Sequence, residues 1–185
     1  MNRVILIIPL LLIFIISFFI LIYLLSDKDP NKPPSALLNK DLPKFTTTNL
    51  FNSNIKLSSD NIKRNVNVDN ENLDSNYTMI NFFASWCAPC KIEHPLFFEL
   101  KKDFPNLFIL GINHKDNKED ALKYLNEDGN PYNFVGIDQD GLIALEFGVF
   151  GLPETFIINE TGKIIYKFMG PLTKEIITNE IKPLL

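Results

Sequence analysis

Met79-Ile80-Asn81-Phe82-Phe83-Ala84-Ser85-Trp86-Cys87-Ala88-Pro89-Cys90-Lys91 is the stretch on which the reading of this chain turns. The run from Thr78 to Ser85 is apolar and short enough to be a buried strand, and helical spacing takes over from Cys90. The chain's 2 cysteines, Cys87 and Cys90, fall at that junction. Two thiols at this spacing close into a disulfide with little backbone movement and reopen by exchange. Cys87 is expected at or just before the helix start, where unpaired N–H groups and the helix dipole favour an anion. That lowers a thiol pKa, and the thiolate is the attacking species. Cys90, one turn in, is expected to be less exposed and to act as the resolving thiol. Pro89 has no N–H to lose in a first helical turn. A static disulfide is the alternative reading of the pair.

Downstream of the pair, Leu96, Phe97, Leu100 and Phe104 continue a helix to about Pro105, with a kink expected at Pro95. Leu107 to Ile112 reads as a second buried strand and Lys118 to Glu127 as a helix stopped by Gly129. Phe134 to Ile137 reads as a third strand and Leu142 to Phe147 as a short helix. Glu154 to Ile158 and Lys163 to Phe168 read as a hairpin turning at Glu160-Thr161-Gly162. Glu175 to Leu184 closes the chain as a helix with Ile176, Ile177, Ile181 and Leu184 inward. Upstream, Lys44 to Thr48 and Asn54 to Ser58 flank Asn52-Ser53 as another hairpin. Asp60 to Asn76, rich in Asn and Asp, reads as a long loop. The order of elements predicts an α/β fold with a mixed sheet.

Val4 to Leu25 carries no charge and consists almost entirely of Ile, Leu and Phe. At 1.5 Å per residue it makes a helix of roughly 33 Å, enough to cross a hydrocarbon core. It ends Tyr23-Leu24-Leu25-Ser26-Asp27 without a small-residue cleavage site, so an uncleaved anchor is expected. Arg3 ahead of it favours a cytoplasmic N-terminus and an exported domain. The expected organisation is a cytoplasmic stub and anchor over residues 1–26, a Pro-containing linker over 27–41 and one domain over 42–185. The net charge of −4 and pI near 5.2 argue against nucleic-acid binding. With His94 and His114, the cysteines repeat no zinc-finger spacing, so no metal and no other cofactor is expected.

Gly151-Leu152-Pro153-Glu154-Thr155 is the second motif. A proline entering an apolar strand normally weakens a strand assignment. Here the expectation is a cis-proline loop beside the cysteines, with Leu152, Pro153 and Thr155 offering substrate contacts. Glu93 and Glu154 are the acids expected to tune the thiols: one near Cys87 raises its pKa, and one near Cys90 accepts its proton. The competing readings are a solvent-facing helix acid for Glu93 and a strand-edge residue for Glu154. Trp86 is expected to pack beside the site and to touch substrate by its edge. His94 reads as a surface or interface histidine rather than a base or metal ligand.

The motifs Trp86 to Lys91, Cys90-Lys91-Ile92-Glu93-His94-Pro95, Gly111 to Asp116, Gly129-Asn130-Pro131-Tyr132 and Gly148 to Phe156 resemble the CcmG/DsbE family of membrane-tethered thioredoxin-like proteins. The resemblance runs from about Leu42 to Leu185. It departs in the long polar loop and in Lys91, where an Arg is common. It implies a thioredoxin fold with an N-terminal hairpin extension and an N-terminal transmembrane helix. It also implies a periplasmic protein on the inner membrane that acts as a monomer and keeps cysteines reduced for haem attachment. The implied client is apocytochrome c or the thiol component handling it, and the implied electron donor is a membrane carrier of the DsbD/CcdA type. A general exported reductase or oxidase fits the same residues, and an apocytochrome-binding module with an accessory dithiol is the alternative of another class.

Overall fold

The computed structural model describes residues 3–25, 36–63 and 76–185. The chain divides into two units, Met1–Pro33 and Pro34–Leu185. The first holds one helix, α1 (Arg3–Leu25), which runs through Pro9. Among the described residues no helix is long and apolar enough to cross a membrane. Most of the expected linker, residues 27–35, lies outside the described residues.

The second unit is built on a five-stranded mixed sheet in the order β5-β4-β3-β6-β7. Its strands are β3 (Tyr77–Phe83), β4 (Phe108–His114), β5 (Phe134–Asp138), β6 (Glu154–Asn159) and β7 (Ile164–Met169). β3 runs parallel to β4, and β4 to β5, while β6 is antiparallel to both β3 and β7. The expected hairpin forms a small separate sheet of β1 (Thr46–Thr48) and β2 (Lys56–Ser58), linked to β5 by the bridge Asn49↔Gly136. Helix α2 (Ser59–Lys63) corrects the loop reading at its start: Asn61 Oδ1 accepts from Ser58 N at 2.8 Å, closing a turn that the Asn-rich composition hides. The rest of that loop, residues 64–75, lies outside the described residues.

Helices α3 (Ala88–Asp103), α4 (Lys118–Glu127) and α5 (Leu142–Glu146) occupy the predicted places. α3 is one continuous helix through Pro95. The closing helix is less regular than its apolar spacing suggests: α6 (Lys174–Ile176) passes into a π-helical turn over Ile177–Ile181 and a 3-10 turn over Lys182–Leu184. Ile177 and Ile181 are buried there, whereas Ile176 and Leu184 are half-buried.

Because strand side chains alternate, β3 feeds two cores. Met79 and Phe83 enter the core that contains Cys87, Cys90, Phe97, Leu100 and Ile181. Ile80 and Phe82 enter the other, where the rings of Phe45, Phe82, Phe147 and Phe156 meet edge to face at 5.2–5.8 Å. With both faces covered, Asn81 is buried on the same face as Met79 and Phe83.

Candidate active site

β3 ends at Phe83, and two residues form the turn that delivers the cysteines to the next helix. Cys87 is the N-cap of α3 with extended backbone, φ −84° and ψ 104°, and its Sγ accepts from Cys90 N at 3.2 Å. The two sulfurs form a disulfide with the Cα atoms 5.3 Å apart. In this oxidised form both cysteines are buried, Cys87 at 3% and Cys90 at 2% exposure, so the expected contrast in exposure is absent.

A set of hydrogen bonds holds the turn from the neighbouring loop. The buried carboxylate of Asp116 accepts from Ser85 N at 2.6 Å, Ser85 Oγ at 2.8 Å and Asn113 Nδ2 at 2.8 Å. Trp86 Nε1 donates to Lys115 O at 3.2 Å, and Lys115 takes a left-handed φ of 45°. Trp86 is otherwise 61% exposed, with its indole N–H tied to the loop. Neither Ser85 nor Asp116 stood out in the sequence, because their pairing spans two loops.

The Leu152-Pro153 peptide bond is cis. β6 pairs with β3 up to Phe82↔Glu154, so one further step of the register sets Pro153 beside Phe83, at the end of the strand that leads to the cysteines. Leu152 packs on the core containing Cys87 and Cys90, and Pro153 O accepts from Gly170 N at 2.9 Å. Phe150, three residues earlier, is 84% exposed.

The two candidate acids lie on opposite faces of the sheet. Glu93 is on the cysteine side, one helical turn after Cys90, and is 1% exposed. The solvent-facing alternative for it is therefore wrong: the buried stripe of α3 is Cys90, Glu93, His94, Phe97 and Leu100. Glu93 Oε1 accepts from Asn81 Nδ2 at 2.8 Å and Oε2 from Leu172 N at 2.7 Å. Asn81 Nδ2 also donates to Thr155 Oγ1 at 3.1 Å, and Tyr132 Oη donates to Asn81 Oδ1 at 2.9 Å. Burial pushes the Glu93 carboxyl up to about 7, against the two hydrogen bonds that favour its charge. Glu154, also 1% exposed, points to the other core beside Phe156. Its Oε1 accepts from Phe150 N at 2.8 Å. Its Oε2 lies 3.0 Å from Lys167 Nζ, a charge pair that is not aligned as a hydrogen bond. Lys167 Nζ donates to Gly148 O at 2.7 Å, so the pair braces the loop leading to Pro153.

His94 is a second correction. It is buried, with Nε2 2.9 Å from Gly129 O and its ring among Phe98, Tyr124 and Tyr132, and desolvation lowers its pKa. Asn81, Tyr132 and Lys167 were not singled out from sequence. A lone Asn inside an apolar strand is a usable signal, since a buried amide needs partners. Among the described residues no group of three or more His, Cys, Asp or Glu side chains could hold a metal ion.

The comparisons with known proteins agree with this geometry. The redoxin family model matches residues 38–182. The chain is 36% identical to the thiol:disulfide interchange protein HelX of Rhodobacter capsulatus, covering 88% of this chain and 85% of that one. It is 34% identical to the thiol:disulfide interchange protein DsbE of Escherichia coli, covering 100% and 95%. Among solved structures, the thioredoxin domain of a thiol-disulfide oxidoreductase from Bacteroides vulgatus superposes with a TM-score of 0.64 at 20% identity, over 81% of this chain and 99% of that one, a likeness of fold. With a buried Cys87–Cys90 pair capping a helix beside a cis-proline loop, the chain belongs to the redoxin family, among the thiol-disulfide oxidoreductases of the CcmG/DsbE group.

Proposed function

We propose that this protein is a membrane-tethered reductant of protein disulfides, acting on apocytochrome c or on the thiol component that handles it before haem attachment. The observation that carries the reading is the Cys87–Cys90 disulfide at the start of α3, with the buried Glu93 one turn further on the same face. The Cys87 thiolate attacks a sulfur of the client disulfide, the client S–S bond breaks, and one client sulfur leaves as thiolate. Glu93 takes the proton of Cys90, whose thiolate attacks Cys87 Sγ and expels the second client sulfur. The client gains two electrons and, on protonation, two protons; the protein is left in the disulfide form. A membrane dithiol carrier of the DsbD/CcdA type returns it to the reduced state by the reverse exchange.

Trp86, Leu152 and the backbone at the buried Pro153 are assigned to client contact; Thr155, expected there from sequence, is 0% exposed with its hydroxyl bonded to Asn81, and is assigned to the network beneath the site. The exposure of Trp86 and Phe150, on the two loops that carry the cysteines and Pro153, supports an apolar docking surface. Glu154, facing the other core and paired with Lys167, is assigned to bracing that loop rather than to proton transfer. Tethering is supported by helix α1, whose Ile, Leu and Phe side chains are exposed along the described run, and by the uncharged stretch Val4 to Leu25. We assign the domain to the periplasmic side of the inner membrane, working as a monomer and without cofactor. Cys87→Ser abolishes client reduction on this reading, and intact cytochrome c maturation in that variant would favour a holding role instead. Cys90→Ala traps a mixed disulfide whose partner names the client. A reduction potential near −120 mV, that of a strong oxidant, would sink the reductant assignment.

A further inference from the structure

We propose that Tyr132 is a positioning residue whose hydroxyl locks the Asn81 amide in the one orientation that holds Glu93 as a carboxylate. The proposal goes beyond, and rests on, the reading of Glu93 as the proton acceptor of Cys90.

The geometry is a closed set of four buried side chains, Tyr132, Asn81, Glu93 and Thr155. Tyr132 Oη lies 2.9 Å from Asn81 Oδ1, so the phenol donates and the amide oxygen is occupied. The amide nitrogen is then left to face Glu93 Oε1 at 2.8 Å and Thr155 Oγ1 at 3.1 Å, and it can only donate. Glu93 Oε2 is engaged by the Leu172 N–H at 2.7 Å, which is also a fixed donor. Both of these partners of the carboxylate therefore donate, an arrangement that favours its charged form, while each oxygen keeps a second lone pair that can take the proton of Cys90. A proton on the Oε1 lone pair that faces Asn81 requires the amide to turn over, so that Asn81 Oδ1 accepts from the new acid. The amide nitrogen would then face Tyr132 Oη, and the phenolic proton would lose its acceptor in a buried site. That loss opposes the flip and disfavours the protonated form that the flip would stabilise.

The fold commits Tyr132 to this position. A Cβ at Gly111 would come 2.8 Å from Tyr132 Cγ, so the bare strand β4 is what lets the ring lie across it. The ring stacks on Phe83 at 4.9 Å. Burial raises the Tyr132 phenol well above its ordinary value, so it keeps its proton and remains a donor. The groups around Glu93 are accounted for element by element. α3 supplies the Cys87–Cys90 disulfide and His94, whose Nε2 is directed to Gly129 O. α4 supplies Tyr124, another phenol held neutral by burial. β3 supplies Asn81, β6 Thr155, the loop before β5 Tyr132 and the loop after β7 the Leu172 N–H. Among the described residues the carboxylate's hydrogen bonds come from the Asn81 amide and the Leu172 N–H.

The test is a titration of Glu93 Cδ by NMR in the full-length oxidised chain, where the cysteines do not titrate, comparing wild type with Tyr132→Phe. Loss of the lock moves the Glu93 midpoint up by about one pH unit. A purely structural loosening admits water and moves it down, toward an ordinary glutamate. An unmoved or lowered midpoint in a folded variant overturns the proposal. In the reduced chain, the pH profile of Cys90 release of a Cys87 mixed disulfide is expected to follow the same upward shift. If the midpoint rises and the profile does not follow, the lock stands and the reading of Glu93 as the Cys90 acceptor fails. Should Tyr132→Phe not fold, the wild-type chain decides. Asn81 side-chain amide resonances that move with the Glu93 midpoint support the lock, and resonances that ignore it overturn the proposal.

Discussion

Glu93 and Glu154 lie on opposite faces of one sheet, are equally buried, and are handled by opposite physics. Glu154 has a cation, Lys167, 3.0 Å away, and its other oxygen braces Phe150 N. Glu93 has two neutral donors, Asn81 and the Leu172 N–H. Withdrawing a carboxylate from water disfavours its charge, and neutral hydrogen bonds offset only part of that cost. Glu93 is thereby brought to about 7, within reach of a thiol's proton, and it shares a face with the cysteines. An ion-paired buried acid works as a strut; one held by neutral donors can exchange a proton.

The largest expected effect breaks the strut. Lys167→Met leaves Glu154 buried without its counter-charge and lowers stability by about 3–5 kcal/mol in urea unfolding. The double variant Glu154→Gln/Lys167→Met regains most of that loss; equal losses in the single and double variants would show that the pair is not the cause. Next comes Glu93→Gln. A carboxyl whose folded pKa is raised binds more protons folded than unfolded. Its stabilising contribution is therefore complete below the ordinary value of 4.5 and is lost as pH rises through about 7. The stability of Glu93→Gln relative to wild type is expected to rise by about 3 kcal/mol between pH 4 and pH 8, from a starting value lowered by the Gln amide nitrogen facing one of the two fixed donors. Parallel stability–pH curves for the two proteins would contradict this.

Thr155→Val removes one acceptor of the Asn81 amide and leaves a buried N–H unpaired, a loss of about 1–2 kcal/mol by thermal or urea unfolding. The smallest effect is on the surface. Lys174 and Glu99 pair at 3.0 Å with both side chains exposed, so Lys174→Ala changes stability by less than about 1 kcal/mol. A loss comparable to that of Lys167→Met would mean that burial is not what separates the two kinds of pair.

Much of this was legible in the chain. The apolar run before Cys87 and the turn signals at Glu160-Thr161-Gly162 produced strands where they were expected, because short-range patterning controls both. The helix after the cysteines was legible in its apolar members only. Its buried stripe runs Cys90, Glu93, His94, Phe97, Leu100, an ordinary i, i+3, i+4 pattern with two polar residues in it. Reading apolar letters alone set His94 at the surface and kept a solvent-facing alternative open for Glu93, although the two belong to the buried stripe. α3 is covered by the sheet and also by Tyr124, Gly129 and Tyr132, and no local spacing announces that second layer. The closing helix was found by its isoleucines, but its π-helical turn was not, since the apolar period does not report the backbone winding.

The sequence by itself determined the dithiol at a strand-to-helix junction, the proline that enters β6, and the alternation of elements that makes a mixed sheet. Each depends on residues within a turn or a strand of one another. Only the tertiary structure decided which acid faces the cysteines, which acid faces Lys167, and which tyrosine reaches Asn81. Those outcomes follow from strand register and from which face of β3 and β6 each side chain takes, so residues 12 and 51 positions from Asn81 meet in one buried network. The chemistry of Glu93 is set by desolvation and by its donors, and both are properties of the packed fold.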